Sequence, residues 1–166
     1  MATVFGFSPR PRFDLVVNTL TAKAICDGKI TVFGGDQWRP NVHVSDVAEV
    51  MIAVLELPLG KVGGEAFNVG SEKNNMTINE IGKIVHEEVP AAELVMTETA
   101  IDKRNYRVDF SKLSALLGYE PRTSVRDGVR EVIGAFAAGK VKGYKDSKYS
   151  NVLSLESVTQ NSQLPS

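Results

Sequence analysis

Along the first stretch of the chain, apolar residues return at helical intervals: Leu15, Val16, Leu20, Ala24 and Ile25 share one face between Asp14 and Asp27. Asp14 is placed to act as N-cap, and Gly28 lies just past the end. The period then shortens. Ile30-Thr31-Val32-Phe33 and Asn41-Val42-His43-Val44 read as two short strands, the first closed by Gly34-Gly35 and the second by Ser45-Asp46, leaving Arg39 in a loop between them. From Ser45, a second helical pattern places Val47, Val50, Met51, Val54 and Leu55 together and stops at Pro58. Gly60-Lys61-Val62-Gly63-Gly64 reads as a hairpin or loop ahead of a strand at Ala66-Phe67-Asn68-Val69. Thr77-Ile78-Asn79-Glu80 has the form of a capping box, and Ile78, Ile81, Ile84 and Val85 continue as a helix. A strand at Glu93-Leu94-Val95-Met96, a short helix from Phe110 to Leu117 stopped by Gly118, and a longer helix from Ser124 to Ala138 complete the pattern. Strands alternating with helices predict an α/β chain, with ligands expected at the strand-to-helix joints.

Past Lys140 the apolar period ends, and residues 154–166 are rich in Ser, Gln and Thr, which predicts one domain over 1–153 and a disordered tail over 154–166. Composition narrows the function classes without choosing one. At 166 residues, 43% hydrophobic and 23% charged, the chain can bury a core. A net charge of -1 leaves no excess to hold a nucleic-acid backbone or an anionic membrane surface. No apolar run approaches the roughly 20 residues needed to span a bilayer, and the start has no signal-peptide pattern. The single cysteine, Cys26, excludes a disulfide within the chain and reads as a buried, inert thiol. A cytoplasmic protein is expected.

Few side chains announce chemistry on their own. Arg39 offers a planar fork that can grip a pyrophosphate, but it could equally be solvated or paired with Asp36 or Asp46. His43 reads as a structural histidine in an alternating strand, and Asp46 as a carboxylate favoured by the helix dipole. Trp38 either plugs the loop by packing or covers a ligand. No metal-ligand cluster stands out.

Order and spacing say more. Arg39-Pro40-Asn41-Val42-His43-Val44-Ser45-Asp46-Val47 matches an R-x-x-hydrophobic-H-V-x-D-V tract. Val4-Phe5-Gly6 with Asp14, Leu15 and Asn18 matches an N-V-Y-G-P turn and its following helix, Thr3 standing where the asparagine is expected. Asp102-Lys103-Arg104 to Asp109 precedes Lys112-Leu113-Ser114-Ala115-Leu116-Leu117-Gly118-Tyr119-Glu120-Pro121, a K-x-x-x-x-L-G-Y-x-P helix. Over residues 4–153 these motifs resemble the carboxy-terminal part of the NAD-dependent epimerase/dehydratase family, the extended short-chain dehydrogenases. The resemblance implies a small mixed α/β substrate-binding domain lacking most of the Rossmann half. It also implies that Arg39 and Arg104 hold the diphosphate of a nucleotide sugar while Asp14, Leu15 and Asn18 touch the nucleotide end.

No Gly-x-Gly-x-x-Gly lies between a strand and a helix, so no bound cofactor is expected for this chain, and NAD or NADP would belong to a full-length parent. Tyr144 and Lys148 have the Tyr-x-x-x-Lys spacing of short-chain dehydrogenases, but they follow Gly143 in a region without helical period. In the family that pair precedes the N-V-Y-G turn, so no catalytic residue is expected here and the chain alone should be inactive. The expected partners are a nucleotide sugar, the missing cofactor-binding half, and a second copy through exposed apolar surface. A non-catalytic nucleotide-sugar-binding or interaction module is the alternative.

Overall fold

The computed structural model describes residues 2–99, 104–118, 120–151 and 153–155. Two small sheets share a bed of helices. The first runs in the order β1 (Thr3–Phe5), β3 (Trp38–His43), β4 (Asn75–Thr77), parallel between β1 and β3 and antiparallel between β3 and β4. The second is a parallel pair, β2 (Lys29–Phe33) with β5 (Glu93–Thr97). The helices are α1 (Val16–Cys26), α2 (Val44–Leu55), α3 (Leu59–Val62), α4 (Ile78–Glu88), α5 (Ser111–Leu117) and α6 (Val125–Ala137). The architecture is mixed α/β.

The main core gathers Val17, Leu20 and Ala24 of α1, Ile30 and Val32 of β2, Ile81 and Val85 of α4, Val125 and Val129 of α6, and Phe5 of β1. Each fully buried aliphatic side chain contributes about 1.5–3 kcal/mol relative to exposure. Alternation in β2 divides its sides: Ile30 and Val32 are buried, and Thr31 and Phe33 are left toward solvent. A second cluster joins Phe13, Ala22, Val132, Ala135, Val141 and Tyr149, so the region after Lys140 packs against α1 and α6 although it carries no helical period.

Local chemistry sets the helix ends. Thr77 with Glu80 and Ser124 with Asp127 form complete capping boxes on α4 and α6. Gly118 closes α5 at φ 60°, the left-handed conformation that favours glycine.

Several expectations are corrected. Asp14 is not the cap of α1: Leu15 occupies that position without a side-chain bond, because the Asp14 carboxylate is taken by Arg12. Arg39 lies in a strand rather than a loop, since residues 75–77, not foreseen as a strand, pair antiparallel with Trp38–Pro40. Residues 66–69 form no strand, as no strand pairs with them among the described residues; Asn68 instead donates to the Asp109 carbonyl. Residues 59–62 form a helical turn where a hairpin or loop was expected. On α2 the helical period is correct but Met51 (58%) and Leu55 (84%) are exposed, because no described element covers that side. Cys26 is exposed rather than buried, since the core face of α1 carries Val17, Leu20 and Ala24. Partial burial and the neighbouring Asp27 charge push its thiol pKa up, so it stays protonated at neutral pH. The expected tail lies outside the described residues apart from Ser154 and Leu155. Among the described residues no helix is long and apolar enough to cross a membrane, and no group of His, Cys, Asp and Glu is placed to hold a metal.

Candidate functional site

A cavity of about 320 Å³ opens between α1 and the two sheets. One wall is a stripe of α1 in which Val16, Thr19, Leu20 and Lys23 follow three- and four-residue spacing. The outward residues of β2, Thr31 and Phe33, form another wall, and Gln37 and Arg39 with Ile78 and Arg104 complete the lining. Asp14 and Leu15 lie where α1 begins. The structure thus brings four of the five candidate residues, Asp14, Leu15, Arg39 and Arg104, to one cavity.

Asn18 goes elsewhere. Its carboxamide makes two bonds to the Gly6 backbone, each 3.0 Å, and it borders a neighbouring cavity of about 360 Å³ that shares Thr3 and Leu15 with the first. Both ends of the amide are spent on holding the turn after β1.

The electrostatics of the main cavity are divided. Arg39 is 7% exposed; its Nη1 donates to the Trp38 carbonyl at 2.8 Å and to the Arg104 carbonyl, and its guanidinium lies 5.7 Å from the Tyr106 ring centroid. The Arg39 contact therefore joins β3 to the segment that carries Arg104. Burial pushes the Asp14 carboxyl pKa up, but the Arg12 fork at 2.8 and 2.9 Å and the Asn151 N–H at 3.1 Å outweigh it, leaving the pKa below the usual range. Of the four longer described helices, α2, α4 and α6 have side-chain caps and an acidic residue in the first turn, whereas α1 has neither. Leu15 and Val16 bring the uncapped start of α1, with its partial positive charge, to a cavity that two arginines also line.

The other singled-out residues hold the frame. His43 is buried; its Nδ1 accepts from the Ser45 N–H at 3.3 Å, and its Nε2 lies 2.7 Å from a Glu131 carboxylate oxygen. Glu131 also accepts from the Phe7 N–H at 2.8 Å, so the turn after β1, β3 and α6 meet at one carboxylate. Asp46 is buried at the start of α2 and accepts from the N–H groups of Arg122 and Thr123 at 3.3 and 3.1 Å. Trp38 stacks under Arg107, 4.6 Å from ring centroid to guanidinium carbon. Tyr144 donates to Asp27 at 2.5 Å and Lys148 pairs with Asp146, so the two do not form a catalytic pair.

Sequence reasoning missed Lys23, Thr31, Phe33 and Gln37 in the cavity lining, and Arg12 as the partner of Asp14. The signal was present in part: Thr19 and Lys23 lie one and two turns beyond Leu15, and Thr31 and Phe33 have the parity opposite to the core residues of β2. The carboxylates in the first turns of α2 and α4 are engaged within the chain: Asp46 accepts from the Arg122 and Thr123 N–H groups, and Glu80 from the Thr77 N–H at 2.7 Å.

Residues 1–70 match the sequence model of the NAD dependent epimerase/dehydratase family. The chain is 32% identical over 142 residues to UDP-glucuronic acid decarboxylase 1 of Arabidopsis thaliana, covering 82% of this chain and 32% of that protein. It is 30% identical over 134 residues to UDP-glucuronate 4-epimerase of Thermodesulfobacterium geofontis, covering 79% and 40% respectively. The crystal structure of UDP-glucuronic acid 4-epimerase from Bacillus cereus in complex with UDP-glucuronic acid and NAD matches with a TM-score of 0.69 and 26% identity, over 82% of this chain and 43% of that one. The chain spans about a third to two-fifths of the length of these curated relatives.

Proposed function

Because the chain belongs to the NAD-dependent epimerase/dehydratase family, we propose that it is the substrate-binding portion of an NAD(P)-dependent nucleotide-sugar epimerase or dehydratase, acting in the cytoplasm. The observation that carries this reading is the cavity lined together by Arg39, Arg104 and the uncapped start of α1. Two guanidiniums and a bare helix N-terminus suit a diphosphate, the group common to nucleotide sugars. Asp14 and Leu15 border the nucleotide end, Phe33 supplies an aromatic wall, and Asn18 holds the turn before α1. The relatives' names favour uridine as the nucleoside to test first.

The nicotinamide chemistry falls to the rest of a parent enzyme, which supplies NAD or NADP and the catalytic residues. That cofactor-binding half would cover the apolar side of α2 and α3, where Met51, Ile52, Leu55 and Leu59 are exposed. Alone, the chain should bind a nucleotide sugar without turning it over.

A thermal-shift titration with UDP-, GDP- and dTDP-sugars, using NAD for comparison, tests this. Stabilisation by a nucleotide sugar and not by NAD is expected, by mass-action linkage. Stabilisation by NAD alone, or by none of them, contradicts the reading.

A further inference from the structure

Arg104 enters the cavity from residues 104–108, which belong to no helix or strand. Such a segment can place a guanidinium only if something holds it, and the contacts that do so lie along β3 and β4. The Trp38 N–H donates to Asn105 Oδ1 at 3.0 Å. Arg107 stacks on the Trp38 indole and donates to Glu72 at 3.2 Å. Arg107 and Glu72 are more than half exposed, so water and salt weaken that ion pair.

The sheltered contact is Asn75, 6% exposed on β4. Its Nδ2 donates to the Val108 carbonyl at 2.9 Å, and its Oδ1 accepts from the Val108 N–H at 3.3 Å. One carboxamide therefore gives Val108 both bonds that a neighbouring strand would have given. The same Nδ2 donates to Glu72 Oε2 at 3.0 Å, the oxygen that also receives Arg107. Loss of the amide would leave Val108 without those two partners while the β3–β4 pairing persisted, so the effect would fall on the segment rather than on the sheet.

We propose that Asn75 is a positioning residue for the cavity: it latches residues 104–108 onto the β3–β4 edge and so fixes both Arg104 and the carbonyl that receives Arg39. This role rests on the nucleotide-diphosphate reading above. Asn75 touches no ligand in it and acts through Arg104.

Trp38 is the chain's only tryptophan and lies under Arg107, so its emission reports whether the segment is docked. The test titrates UDP into the wild-type chain, Asn75→Ala, Arg104→Ala and the double variant by calorimetry, with Trp38 emission recorded before each titration. Each single change should weaken UDP about tenfold, and the double variant should be no weaker than either, because both remove one arginine contact. Asn75→Ala should also shift Trp38 emission to the red without ligand. Wild-type affinity in Asn75→Ala, or losses that multiply in the double variant, would overturn the latch. A wild-type chain that ignores UDP would overturn the diphosphate reading and the latch with it. Should Asn75→Ala not fold, hydrogen exchange on the wild type decides: UDP should slow the Trp38 and Val108 amides, and unchanged exchange with UDP bound would refute the coupling.

Discussion

Arg39 illustrates how one residue can be read correctly in chemistry and wrongly in setting. Its motif marked it as a diphosphate-binding group, but its place in a strand depends on pairing with residues 75–77, more than 30 positions further along, a contact that local pattern cannot show. In that strand its backbone is fixed and its side chain is 7% exposed, so little freedom remains to be lost on binding. Arg39→Ala should weaken UDP by about tenfold or more, and Arg39→Lys should not restore it, because an ammonium lacks the two-pronged geometry. Full affinity in the lysine variant, measured by calorimetry, would show that only charge matters. Asp14 gives a test by pH. Its folded pKa lies below the ordinary value of 3.8, so its stabilisation is present above that value and is lost as pH falls through the folded pKa. Between pH 5 and pH 3, wild type should therefore lose more stability than Asp14→Asn, read as the shift in urea midpoint; parallel losses would contradict the Arg12 clamp.

At the scale of elements, α6 contains its own control. A Cβ at Gly128 would lie 2.3 Å from Phe5 Cε2, in a ring that is 1% exposed and has nowhere to move. A Cβ at Gly134 would meet nothing within 4 Å. Gly128→Ala should cost about 1–3 kcal/mol through overpacking, whereas Gly134→Ala should stabilise by about 0.5–1 kcal/mol through helix propensity. Equal effects in chemical denaturation would refute this packing of α6 on β1. The helices were legible from sequence because their caps and periods are local: Thr77 with Glu80, Ser124 with Asp127, and Gly118 all mark ends observed in the structure. Strands depend on neighbours. Ala66-Phe67-Asn68-Val69 has strand composition and forms none, while Asn75-Met76-Thr77 lacks a clear alternation and pairs with β3.

For the molecule as a whole, the cavity was legible only through its two arginines and the start of α1. Its remaining walls come from Thr31 and Phe33 on β2 and Lys23 on α1, which meet only after both sheets dock on the helices. The exposed side of α2 was invisible for the complementary reason: a helical period shows that a face is apolar and not what covers it. Met51, Ile52, Leu55 and Leu59 leave that face to water here, so the isolated chain should associate with itself as concentration rises. Leu55→Glu should suppress the association in sedimentation without lowering the melting temperature; a monomer at all concentrations would show that the face needs no cover. The central claim, that the cavity between α1, β2 and β3 holds a nucleoside diphosphate, is tested most directly by calorimetric titration of UDP into the wild-type chain and the Arg39→Ala, Arg104→Ala double variant. Saturable 1:1 binding that disappears in the double variant is the predicted result; absence of binding to wild type, or equal binding to both, would contradict it.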